Sequence, residues 1–93
     1  MRTKSILQRE QQCYITGSRV NLDCHHVYHG TSNRKLSDIY GCWVWLNHDV
    51  HMRLHGGDRE LDLRLKRECQ EAFEAIYGRE VFVQVFGKSY LEG

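Results

Sequence analysis

The sequence predicts an α+β domain in which two short strands and a two-turn helix gather histidines, backed by helices toward the C-terminal end. Three observations lead there. All six histidines of the 93-residue chain lie between His25 and His55. Two are adjacent, His25 and His26, while His48, His51 and His55 recur at spacings that put all three on one side of a helix. From Leu61 onward the apolar residues again follow helical spacing.

Ninety-three residues make one domain, 1–93, with a core over about 13–57 and helical support over 58–91. A chain of this length buries roughly 60 to 65% of its unfolded surface, so an ion fastening two elements together would matter to folding as well as to chemistry. A hydrophobic share of 41% and a charged share of 27% are those of an ordinary soluble domain. No apolar run approaches the roughly 20 residues that span a bilayer, and Met1 to Glu10 has no signal-peptide core. The expectation is a cytoplasmic protein without a membrane partner. A net charge of +1 does not by itself declare a nucleic-acid binder, but a local basic cluster or a bound ion can act where the global balance is neutral. Cys13, Cys24, Cys42 and Cys69 form no C-x-x-C pair and read as small buried hydrophobes.

In chain order, Ser5 to Gln12 reads as a short helix or a frayed arm carrying Ile6 and Leu7. Cys13 to Thr16 reads as a strand, Gly17-Ser18 as a turn and Val20 to Val27 as a second strand, a short antiparallel β-hairpin flanked by Cys13 and Cys24. A regular strand would send His25 and His26 to opposite faces, so for both to serve one site the backbone is expected to leave the strand there, with Gly30 permitting it. Gly30 to Asp38 is loop chemistry carrying Arg34 and Lys35, cations suited to phosphate contacts beside a metal site. Cys42 to Leu46 is the strongest strand signal, and its tryptophans, Trp43 and Trp45, share a face expected to belong to the core. Asn47 is a good N-cap for the histidine helix and Gly56-Gly57 a good stop. Asp58 can cap the following helix, with Leu61, Leu65, Cys69, Ala72 and Ile76 as its apolar stripe and Gly78 as its end. Phe82 and Phe86 then dock a last short helix.

An H-x-x-x-H pair on a helical turn presents two imidazole nitrogens at fixed separation, and a third ligand comes from elsewhere. His51 and His55 are that pair, and the His25-His26 pair is the natural source of the third. Histidine sets of this kind suit zinc or nickel, whereas magnesium prefers oxygen and retained water.

The order of elements, and in detail Cys13-Tyr14-Ile15-Thr16-Gly17, Leu22-Asp23-Cys24-His25-His26-Val27, Asn33-Arg34-Lys35, Trp43-Val44-Trp45-Leu46, His48-Asp49-Val50-His51-Met52 and Phe86-Gly87-Lys88-Ser89-Tyr90-Leu91, resembles the HNH endonuclease family. More closely, the chain is similar to small HNH-type proteins of bacterial viruses and prophages. The resemblance covers about residues 13–91 and implies a ββα-metal core, hydrolysis of DNA phosphodiesters, and one divalent ion, whether magnesium, manganese, nickel or zinc. It implies His25, His51 and His55 as metal ligands and His26 as the general base. Arg34, Lys35 and Arg53 would hold the DNA backbone, and His48 would orient a ligand or touch a phosphate. His29 reads as a surface or outer residue of the site. The family's usual middle asparagine, nine residues before His51, is replaced by Cys42, and Asn33 is the substitute expected to brace the base. DNA is the implied partner, with a second copy or a partner protein for specificity, in a bacterial host. Two alternatives differ in class: a zinc-stapled module of the same fold that binds DNA or protein without catalysis, and an adaptor acting through an exposed apolar patch.

Overall fold

In the computed structural model, which describes residues 2–91, the elements run β1 (Leu22–His26), α1 (Thr31–Tyr40), β2 (Trp43–Asn47), α2 (His48–His55), α3 (Arg59–Tyr77) and α4 (Arg79–Phe86). Met1, Glu92 and Gly93, the ends of the expected domain, lie outside the described residues. The two strands form an antiparallel sheet in which His26 stands opposite Trp43, His25 opposite Val44 and Asp23 opposite Leu46. The radius of gyration, 12.6 Å, is that of a single domain of this length.

Three local expectations are corrected. Cys13 to Thr16 is a turn, not a strand: the Gly17 amide donates to the Cys13 carbonyl and Cys13 to that of Ser18, so the run closes on itself. The strand that pairs with β1 is therefore β2, and the expected tight hairpin becomes a strand pair connected through α1. The Gly30 to Asp38 loop is largely that helix. Its stabilising face is thin but sufficient, since Ser37 is fully buried and donates its hydroxyl to the Tyr28 carbonyl, while Leu36 and Tyr40 pack on the core. Gly41 ends it in the left-handed conformation, φ 74°, with its amide donating to the Ser37 carbonyl.

The helices after β2 follow their capping signals. Asn47 accepts from the Asp49 amide at the start of α2, and Asp58 from the Leu61 amide at the start of α3. On α3 the buried stripe is Leu61, Leu65, Cys69, Gln70 and Phe73, so the expected continuation to Ile76 fails: Phe73 carries the packing and Ile76 is 57% exposed. Phe82 and Phe86 of α4 dock as expected, closing on Tyr28, which also donates its hydroxyl to the Lys66 carbonyl. The Tyr28 hydroxyl is pushed far above its ordinary pKa by burial. The core lies among the Val44/Leu46 face of the sheet, Val50 of α2, and the inner faces of α3 and α4.

Trp43 and Trp45 share a face as expected, with Trp43 buried and Trp45 half-buried, but that face is not the one on the main core cluster. They alternate with the fully buried Val44 and Leu46, so the pleat sends them to the other face of the sheet, and neither belongs to the core cluster. The N-terminal segment covers them as an extended arm rather than a helix. Ser5 donates to the Trp43 carbonyl, the Gln8 side chain accepts from the Trp45 amide, and the Trp43 indole donates to the Thr3 carbonyl. All four cysteines are free thiols, three of them buried.

Candidate metal centre

The same pleat distributes the histidines. Asp23 and His25 project from β1 toward α2, where the His25 and His51 ring centres are 5.2 Å apart and those of His51 and His55 are 4.7 Å apart. Imidazoles sharing a tetrahedral ion at ~2.1 Å have ring centres about 5 Å apart, so this spacing fits a common cation. Among the described residues no group of three histidine, cysteine, aspartate or glutamate side chains already stands at metal-holding geometry. Two of the three ring pairs stand at that separation, and side-chain rotation would have to complete the set.

Two electrostatic features bear on the fit. His25 is 9% exposed, and its Nε2 is the one buried side-chain nitrogen or oxygen among the described residues without a hydrogen-bond partner. An orphaned polar atom in such a place calls for a missing partner. Burial first, and then the imidazoles of His51 and His29, press the His25 pKa down to about 4, so the ring is neutral at physiological pH, the form that donates to a metal. Asp23 accepts from Nδ1 of His51 at 3.0 Å and from Nδ1 of His48 at 2.8 Å, leaving Nε2 of His51 for another partner. A carboxylate behind an imidazole is the usual means of fixing a metal-binding tautomer. The two hydrogen bonds hold the Asp23 carboxyl below its ordinary range.

His26 does not leave the strand. β1 continues through it, and its ring projects on the Trp43 side, where Nε2 donates to Asp38 at 2.8 Å. The expected departure from regular strand geometry is unnecessary, because one cavity of about 520 Å³ wraps the end of β1 and is lined by both His25 and His26. His51, His55, Arg34 and Asp62 also line it. Asp38 fixes the His26 tautomer whose Nδ1 is free to take a proton.

Of the residues expected at the site, His25, His26, His51, His55 and Arg34 meet at this cavity. Lys35 is exposed on α1 and does not line it, and Arg53 points instead at Asp58, 3.2 Å away. Asn33 sits in the first turn of α1, and the hydrogen bond to His26 comes from Asp38. His48 reaches the site through Asp23, and His29 faces Asp62 at 3.8 Å on the cavity wall. Asp23, Asp38 and Asp62 are the residues that sequence reasoning missed. For Asp23 the signal was present, since position 23 shares a strand face with His25. For Asp38 it was hidden by the loop reading of α1.

No helix among the described residues is long and apolar enough to cross a membrane. No family model, curated protein or solved structure matches the chain.

Proposed function

We propose that this protein is a metal-dependent endonuclease of the HNH type, hydrolysing DNA phosphodiesters in a bacterial cytoplasm. The observation that carries the reading is the buried, partnerless Nε2 of His25, whose ring packs against His51, itself beside His55, with a separately held imidazole, His26, on the same cavity. His25, His51 and His55 would hold one divalent ion. When bound, that ion supplies Lewis-acid stabilisation of the negative charge that develops on the phosphate and its leaving oxygen.

The remaining steps belong to the chain. Asp38 holds His26 by Nε2, so Nδ1 accepts the proton of the attacking water, and the carboxylate then stabilises the imidazolium that forms. Arg34, on the cavity wall, provides a planar fork of donors for phosphate oxygens. Asp23 keeps His51 in one tautomer and one orientation. Asp62 places a carboxylate on the same wall, which widens the acceptable ions beyond zinc and nickel toward manganese and magnesium.

The test is incubation with supercoiled and linear DNA across magnesium, manganese, nickel and zinc, for the natural protein and for His26→Ala. Cleavage should drop by roughly 100-fold or more in the variant, the usual scale for a lost general base. Equal cleavage by the two proteins removes His26 from the role. Metal-dependent stability with no cleavage under any ion would favour the metal-stapled module instead.

A further inference from the structure

The face that carries His26 also carries the two tryptophans. Trp43 lies directly across the sheet from His26 and Trp45 across from Cys24, so all four side chains share one surface. The indole centres are 5.5 Å apart with ring planes at 89°, and Trp45 remains partly exposed. A cleft of about 490 Å³ opens on these rings between them and the N-terminal arm, with Lys4, Gln8 and Arg9 in its wall. The Arg2 guanidinium stands 4.6 Å from the Trp43 ring centre and 5.6 Å from that of Trp45. The acid in the wall, Glu10, is directed at Arg19, 3.7 Å away.

An aromatic floor with a basic rim selects among ligands by chemistry. An aliphatic segment would use the exposed part of Trp45 and leave Lys4 and Arg9 facing nothing, while an acidic peptide would use the cations and leave that indole surface unused. An unpaired nucleotide uses both, its base stacking on an indole and its phosphate meeting the cations. The cleft has the volume of a small-ligand site.

We propose that this cleft binds one unpaired nucleotide of a nucleic-acid strand, the base stacked on Trp45 and the phosphates against Lys4 and Arg9. Because Trp45 stands across from Cys24, two residues from His26 on the same face of the sheet, the stacked nucleotide lies beside the proposed cleavage site, and it would confer a preference for frayed, single-stranded or branched substrates. The inference rests on the endonuclease reading only for the strand's fate, since stacking requires neither metal nor turnover.

The experiment is fluorescence titration of the full chain, with a chelator present, using a thymidine oligonucleotide of roughly eight nucleotides and an abasic oligonucleotide of equal length and charge. The thymidine strand should quench the indole emission and bind about 10-fold more tightly than the abasic strand, and Trp45→Leu should abolish that difference. Trp45→Phe, which keeps a stacking ring, should retain most of it and controls for loss of fold. Equal affinity for the two strands, or a difference that survives Trp45→Leu, overturns the proposal. Quenching by a protein that cuts no DNA under any ion would sink the endonuclease reading alone, whereas cleavage without a base-dependent difference would sink only the nucleotide cleft.

Discussion

Replacing His25 with leucine should flatten the acid sensitivity of the metal-free protein. The imidazole titrates near pH 6.5 in the unfolded chain and near pH 4 in the fold, because burial disfavours its charged form. As pH falls below 6.5 the unfolded state takes up a proton that the fold refuses until about pH 4. The neutral ring's contribution is therefore complete above the first value and lost progressively toward the second. Across the whole window the difference is about 3 kcal/mol, of which about 2 kcal/mol is gone by about pH 5. For a domain of this size that corresponds to a melting temperature lower by roughly 10 °C. The lowered carboxyls, Asp23, Asp58 and Glu68, act at lower pH, since their contributions are lost as pH falls from the ordinary carboxylate values through the lowered ones. Thermal melts of chelated wild type and His25→Leu at about pH 7.5, 6 and 5 isolate the effect. Wild type should lose about 10 °C more than the variant, and the variant, freed of an orphaned Nε2, should be at least as stable near neutrality. Parallel loss in both proteins would refute the assignment of a buried neutral imidazole at position 25.

Asp38→Asn should leave the fold and metal affinity intact while lowering cleavage by about 10-fold or more, because an amide no longer fixes the His26 tautomer; cleavage at the wild-type rate in a plasmid assay would remove Asp38 from positioning. Arg34→Ala should weaken DNA binding and reduce its salt slope by about 1, read by anisotropy over a salt series, with no change in melting temperature. Gly41→Ala should destabilise by about 2 kcal/mol in a denaturant titration, since φ is +74° and a Cβ would press on the Lys4 carbonyl and on Ile6. It should also loosen the N-terminal arm, seen as a red-shifted indole emission.

The parts of the fold legible in the sequence were those with dense local signals. Asn47, Asp58, Gly56 and Gly78 bounded α2 and α3 correctly because capping is a short-range interaction of named side chains and backbone amides. The α1 helix was obscured because its polar run, Thr31 to Lys35, carries turn-forming residues, and its burial depends on Ser37, whose partner is the distant Tyr28 carbonyl. Cys13 to Thr16 failed for a similar reason: strand propensity was present, but β2's remaining edge is shared with the side chains of Ser5 and Gln8, and the run meets it through the Tyr14 amide on the Trp45 carbonyl rather than through a ladder. The shared face of the tryptophans was legible from their i, i+2 spacing, but that Val44 and Leu46 take the main cluster while Trp43 is buried under the N-terminal arm depends on distant partners. At the site, histidine spacing on α2 was readable, whereas the carboxylates behind His51 and His26 required the strand register and α1 to be known.

The most direct test is calorimetric titration of the chelated chain with zinc and with nickel, for the natural protein and for His25→Ala, His51→Ala and His55→Ala, alongside their melting temperatures. The natural protein should bind one ion per chain and melt higher when loaded, and each substitution should weaken binding and shrink that gain together. A chain that takes up neither ion, or one whose affinity survives replacement of all three imidazoles, would contradict the account.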